Sequence, residues 1–446
     1  MTGETVRLAR YAVGLRYADL PAGIVARAKE IVIDTVAAAI CGADLPWSRI
    51  VTAYARHSGP DGKSHVLGAG GPPVQAAAAA LANGALAHGF ELDSLTRPGA
   101  GVHPGATVLP AALAIAQERG AGGRDLIAAF VAANEVMIRI GRATFHTNEA
   151  RGFHAPGTTG PFGAAVAVGH LSGLDAARMT SALGIAGSLA GGLLEFARGD
   201  GGMVKRLHLG RAAEAGVLAA SLAEGGFTGP STVLEGEFGF LKVFCTRWDE
   251  GELIRGLGED FLISTAVLKR YPCHSTAHAA VRAVRELQAE HGFAAGEVAA
   301  LTVTGSPRMI ERHNILEPAD LMLAQYSIPF SVALALSREA RDPESWDESA
   351  LADPAIRALC RRVRLVPEPA GEHGGMGSAV TIALKNGRCL EQRAEDGMLG
   401  PGELEDKFLR LTHRALGARA LALYERLQRL EQEDDLAWLT GAPAGA

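Results

Sequence analysis

Four short segments of this chain concentrate side chains that can move protons or hold anions. His88–Pro104, HGFELDSLTRPGAGVHP, carries two acids, Glu91 and Asp93, then Arg97 and His103, in a stretch broken by Gly and Pro. Arg151–Thr159, RGFHAPGTT, sets His154 just before an apolar run. Lys205–Gly210, KRLHLG, holds Lys205, Arg206 and His208, and Lys269–His274, KRYPCH, holds Lys269, Arg270 and His274. Taken singly, each segment reads more readily as solvated charge or a satisfied loop histidine than as a site. Together they place cations and imidazoles in short Gly/Pro-flanked loops of an acidic protein, with 43 Lys+Arg against 49 Asp+Glu. A pocket for a small polycarboxylate has this pattern. Glu91 and Asp93 are two apart and do not share a helix face, so they point different ways unless a helix ends there.

Other chemistries are excluded by spacing. The Gly-rich runs Gly68–Gly71 and Gly199–Gly202 follow no strand of a βαβ unit, and Gly199–Lys205 lacks the Walker spacing. His274 and His278 are four apart but lack a third spaced ligand, so no metal site is expected. The net charge of −6 argues against a nucleic-acid binder. Five scattered cysteines without a CxxC pair imply no disulfide framework and point to a reducing compartment. The opening MTGETVRLAR has no apolar h-region, so no signal peptide is expected, and Val74–Ala87 and Gly160–Ala197 are too short or too interrupted by charge to span a bilayer. The expectation is a cytoplasmic protein without membrane contact.

The elements that must position these residues fall into three parts. The 446 residues, 48% hydrophobic, 5% aromatic and with 55 Gly, suit close packing of Ala- and Gly-rich helices. Helices are expected over Pro21–Cys41 (Asp19 as cap), Gln75–Ala87, Val108–Arg119, Asp125–Gly141, Gly163–Ser172 and Asp175–Ala190. Strands are expected at Val298–Val303, Arg361–Val366, Ala379–Leu384 and Cys389–Arg393, the last two joined by an Asn386-Gly387 hairpin. Helix returns from Glu403 towards Leu439. The fold class is therefore mainly α with an inserted α+β domain. Residues 1–266 form the helical domain, 267–402 the insertion, and 403–446 helices returning to the first part.

In order along the chain, the AHxxxxD…HPG, RGFH…G, KRLHxGRAA and KRYPCH motifs resemble those of the MmgE/PrpD superfamily, over nearly the whole length. That superfamily includes 2-methylcitrate dehydratase, cis-aconitate decarboxylase and iminodisuccinate epimerase. The resemblance implies a helical domain with an α+β lid, a homodimer, and no metal or organic cofactor. It places the family's first acid on Glu91, followed by Asp93, its loop histidines on His103 and His154, and its lysines on Lys205 and Lys269. Glu91 stands where the dehydratase and decarboxylase branches usually carry Asp, and Ser94 where they carry a third acid. The phenol of the decarboxylase branch falls on Phe330, in Tyr326-Ser327-Ile328-Pro329-Phe330.

Proton abstraction beside a carboxylate needs a base within hydrogen-bond reach and cations for the developing enolate. Imidazole suits it, because its ordinary pKa is about 6.5. His103 and His154 are the expected acid/base groups, oriented by Glu91 or Asp93. Lys205 and Lys269 are the expected carboxylate anchors, with Arg97, Arg206, His208, Arg270, His274 and Tyr326 as further substrate contacts. The leading expectation is a cofactor-independent lyase dehydrating a small hydroxylated di- or tricarboxylate. An epimerase or isomerase ranks second, a decarboxylase third because of Phe330, and a silent carboxylate-binding protein last.

Overall fold

Helices that are apolar on every side must be wrapped by other helices. Ala76–Ala87, Pro104–Arg119 and Ala155–Leu171 are of this kind, with nearly every residue buried. The computed structural model describes residues 3–97, 101–198, 201–368 and 377–441. Its chain divides into two units, one of Met1–Gly89, Asp93–Leu268 and Leu404–Ala446, the other of Phe90–Leu92 and Lys269–Glu403.

In the first unit, Val204–Glu224 packs against Ala155–Leu171 and Ala76–Ala87, while Gly123–Ala143 and Pro104–Arg119 complete the core. Small residues allow this closeness. A Cβ on Gly210 would lie 2.2 Å from the carbonyl oxygen of Leu81, so the two helices cross backbone to backbone. Leu404–Leu416 packs on Ala22–Gly42, where Lys407 and the buried Asp34 form an ion pair. A two-stranded antiparallel ribbon, β1 (Leu95–Thr96) with β2 (Ala266–Val267), ties Arg97 to Thr265 through a backbone bond of 3.0 Å.

Several boundaries differ from expectation. Pro21 is itself the N-cap of Ala22–Gly42, and Asp19 instead accepts from the Arg16 backbone N–H at 2.8 Å. The helices expected from Val108 and Gly163 begin at Pro104 and Ala155, because proline is tolerated in a first turn. Lys205–Gly210 is the opening of a 21-residue helix rather than a loop. The helical return after Glu403 is interrupted at Gly417, whose φ of +55° ends Leu404–Leu416 before Arg419–Gln428 begins.

The second unit holds a mixed sheet in the order β4-β3-β5-β6: Val363–Pro367, Val298–Gly305, Ser378–Leu384 and Cys389–Ala394. β3 and β4 are parallel, the other pairs antiparallel, with Val303 opposite both Leu365 and Val380. The Asn386-Gly387 turn closes the β5–β6 hairpin with Gly387 at φ +88°, a conformation glycine adopts without a Cβ penalty. His278–His291 packs on β5 and β6, and Ile328–Ser337 packs on that helix. Among the described residues, no helix is long and apolar enough to cross a membrane.

Candidate active site

Helix Ala76–Ala87 ends at His88, and helix Pro104–Arg119 begins at its N-cap, His103. Asp93 lies between them in the chain and in space. Its Oδ1 is 2.7 Å from His88 Nδ1 and its Oδ2 is 2.7 Å from His103 Nδ1. The side chains of His88 and Asp93 are fully buried, and that of His103 is 12% exposed. A carboxylate only accepts, so both imidazoles must carry Nδ1–H, and each presents its Nε2 as the atom that gains or loses a proton. Burial alone would raise the Asp93 carboxyl, but the two imidazoles outweigh it and hold the pKa well below the usual range. Burial, with Lys205 adding to it, pushes His88 well below its ordinary value despite Asp93. Asp93 is thus an anion gripped by two N–H donors. Ser94 accepts from the Gly105 N–H at 3.2 Å and satisfies the start of the His103 helix.

His154 is the N-cap of Ala155–Leu171 and is buried, at 5% exposure. Its Nδ1 lies 3.0 Å from Nδ1 of His208, one helical turn into Val204–Glu224. Phe196 packs edge-on against both rings. Burial is the main cause that lowers both imidazoles, His154 well below its ordinary value and His208 to about 4. Nearby cationic and imidazole groups add to it, Lys205 for His208 and the other histidines for His154. Lys205 is buried and acts electrostatically on both His88 and His208. Arg206, expected to contact substrate, is spent on structure: it stacks over Trp47 and donates to the Gly89 and Gly202 carbonyls. Arg97 is half-buried at the end of β1.

The second unit holds its own cluster. Lys269 Nζ and Glu91 Oε2 are 2.9 Å apart, with both side chains no more than 3% exposed. Glu91 has φ +58°, a left-handed conformation that costs a non-glycine residue energy and is held here by the buried pair. Arg270 pairs with Glu403 and donates to the Met398 carbonyl. His274 stacks on His313 at 4.3 Å between ring centroids and tilts against Tyr326 at 4.8 Å. Phe330, where the resemblance led a phenol to be expected, is 1% exposed and packs against Trp346, while Tyr326 is the hydroxyl-bearing ring beside these histidines. His278 is in the core, with its ring nitrogens 3.4 and 3.3 Å from the Gly397 and Cys273 carbonyl oxygens.

Sequence reasoning missed two histidines. His88 opened a motif but was given no role, although a histidine five residues before a buried acid could have signalled a shared carboxylate. His313 left no such signal, because it joins His274 and Tyr326 only through the tertiary fold. One group among the described residues has donor atoms placed for a metal ion: His88, Asp93 and His103, within 4.8 Å of one another.

The chain is 34% identical to a cis-aconitate decarboxylase of Aspergillus terreus over 303 residues, 65% of this chain and 61% of that enzyme. It therefore matches less than two thirds of that relative's length. It is 26% identical to a cis-aconitate decarboxylase-like protein of Aspergillus oryzae, covering 96% of this chain and 93% of that one. It is also 26% identical to the human cis-aconitate decarboxylase, covering 96% and 92%. Residues 6–251 match the MmgE/PrpD N-terminal domain and residues 271–430 the MmgE/PrpD C-terminal domain, and the chain belongs to the MmgE/PrpD family.

Proposed function

We propose that this protein is a cofactor-independent lyase acting on a small tricarboxylate, with decarboxylation of a cis-aconitate-like acid as its reaction. The observation that carries the reading is Asp93, ionised and buried, holding His88 and His103 by their Nδ1–H groups. An imidazole so held is oriented for proton transfer at Nε2, in the way a buried carboxylate orients the histidine of hydrolytic triads. His154 supplies a third imidazole, and Lys205 a cation that favours negative charge nearby. Loss of CO₂ leaves an electron pair on the substrate as an enolate spread into a neighbouring carboxylate. A proton from an imidazole Nε2 then completes the product.

Four of the matched relatives carry the cis-aconitate decarboxylase name. Decarboxylation ranked third on sequence because Phe330 replaced a phenol. With Phe330 in the core and Tyr326 beside His274, that objection loses its force. Dehydration of a hydroxylated tricarboxylate uses the same imidazoles and is the second reading. NMR of the protein with cis-aconitate, citrate, malate and aspartate, before and after exhaustive chelation, tests the proposal. CO₂ release from cis-aconitate that survives chelation is expected. Water loss from citrate alone would move the protein to the second reading. Activity lost on chelation and restored by one divalent ion would instead assign His88, Asp93 and His103 to a metal.

A further inference from the structure

His274 and His313 face each other with ring centroids 4.3 Å apart and planes 28° from parallel, and their hydrogen bonds assign them opposite tautomers. His313 is 5% exposed, and its Nδ1 lies 2.9 Å from the backbone oxygen of Tyr326. A carbonyl only accepts, so His313 carries its proton on Nδ1. His274 is the reverse. The Thr276 backbone N–H donates to its Nδ1 at 3.4 Å, and the Thr276 hydroxyl oxygen lies 2.9 Å from the same atom. A backbone N–H only donates, so His274 Nδ1 holds a lone pair and the proton of the neutral ring is on Nε2. Two imidazolium rings at this separation would repel, which favours the neutral form. His274 is therefore a neutral hydrogen-bond donor at Nε2.

The segments that carry these rings are tied together through main chain. The His274 N–H donates to the Gln325 carbonyl at 2.8 Å. The Gln325 side chain, fully buried, donates to the Pro272 carbonyl at 3.0 Å and to the Phe90 carbonyl at 3.3 Å. The Ser327 hydroxyl donates to the Ile315 carbonyl, next to the bond from His313 to Tyr326 and in the opposite direction. In the same KRYPCH motif, Lys269 and Arg270 are each held by an acid, Glu91 and Glu403. His274 adds a donor without charge to that motif.

We infer that His313 is a positioning residue: fixed on the Tyr326 carbonyl and stacked on His274, it holds the His274 ring so that Nε2–H is presented to a substrate carboxylate. Thr276 sets which nitrogen of His274 is protonated, and His313 sets which way the ring faces. Without the stacked partner the His274 ring turns more freely, and a bond to substrate must first offset that freedom. No proton is transferred in this role. The donor is the same before and after binding, so nothing has to be restored between turnovers.

The role of His313 rests on the tricarboxylate reading, and the probe is tricarballylate, a saturated tricarboxylate with neither a double bond nor a hydroxyl to lose. Nitrogen-15 NMR of the wild type should show His274 protonated on Nε2 and His313 on Nδ1, with the His274 Nε2–H signal moving when tricarballylate binds. His313→Phe keeps a ring for His274 but no N–H for the Tyr326 carbonyl, and His313→Asn keeps an N–H but no ring. Each should raise the calorimetric Kd for tricarballylate about 10-fold, the scale of one hydrogen bond to a charged group. Each should also raise KM for cis-aconitate with kcat within about threefold, because an anchor holds ground state and transition state alike. Folded variants that keep the wild-type Kd, or lose kcat with KM unchanged, overturn the positioning role. A wild-type His274 protonated on Nδ1 overturns it too, a result that needs no variant. A wild type that binds tricarballylate but turns over no tricarboxylate overturns the lyase reading and leaves the binding test in force. One that binds no tricarboxylate overturns both.

Discussion

His103 Nδ1 lies 2.7 Å from Oδ2 of an aspartate whose other oxygen, at the same distance, is taken by His88. Both carboxylate oxygens are engaged by buried or nearly buried imidazoles, so the tautomer of His103 follows from Asp93. Replacing Asp93 by Asn leaves one oxygen to accept and one NH₂ that cannot, and one histidine must flip its tautomer or lose its bond. Asp93→Asn should lower kcat by about 10²–10⁴-fold while KM changes little. The lost hydrogen bond should cost about 1–3 kcal/mol of stability. Steady-state kinetics and thermal melts check both, and turnover within threefold of the parent would remove His103 from the chemistry.

The Lys269–Glu91 pair makes a different prediction, because two charges are buried together. Removing one partner of such a pair strands the other and typically costs about 3–5 kcal/mol. Glu91→Ala should therefore melt much lower than the parent. A double variant, Glu91→Leu with Lys269→Met, should recover much of that loss. If Lys269 also anchors a substrate carboxylate, as the family resemblance implies, Lys269→Ala and the double variant should both raise the apparent substrate constant. Recovered stability with an unchanged substrate constant would make the pair purely structural.

Much of this arrangement was legible before the fold was known, and the limits are physical. Strands β3 to β6 and their Asn386-Gly387 turn fell within about two residues of expectation, because β-branched runs and a φ-positive turn are local signals. The histidine-bearing loops were found by composition, but their roles as N-caps were not: Pro104 and Pro156 looked like loop residues when they were first-turn residues. Arg206 looked like an anion contact because a sequence cannot show that Trp47 and two carbonyls occupy it. His88, His208 and His313 gain their meaning only from partners 5, 54 and 13 residues away.

A homodimer is the expected outcome of the exposed apolar surface on the first unit. Leu218 and Leu222, one turn apart on Val204–Glu224, are 45% and 37% exposed, and Phe227 just beyond is 61% exposed. Phe238, 87% exposed, stands at a concavity of about 550 Å³ whose other apolar walls include Pro230, Val233, Phe240 and Phe244. An aromatic ring this exposed beside an apolar hollow is the composition of an interface that a second copy would cover. Light scattering at micromolar concentration should give twice the 46.3 kDa chain mass, and Phe238→Asp should shift it towards monomer. A monomeric parent would count against the dimer.

Acid should unfold this protein earlier than its net charge alone would suggest. His88, His154 and His208 all have pKa values lowered in the folded state, chiefly by burial, with His208 at about 4. The unfolded chain, with imidazoles near 6.5, binds more protons than the folded one once the pH drops below that value. Stability contributed by these neutral rings is thus complete above about pH 6.5 and declines as the pH falls towards 4. Asp93, also lowered when folded, acts in the same direction but only below the ordinary carboxylate range. Two windows result, an imidazole one and a more acidic carboxylate one. Melting temperatures from pH 8 to pH 4 should fall through the first window, and a variant with His154 and His208 both replaced by Asn should show a shallower slope there. An unchanged slope in that variant would mean the pair is protonated when folded, and the neutral arrangement of the two rings would be wrong.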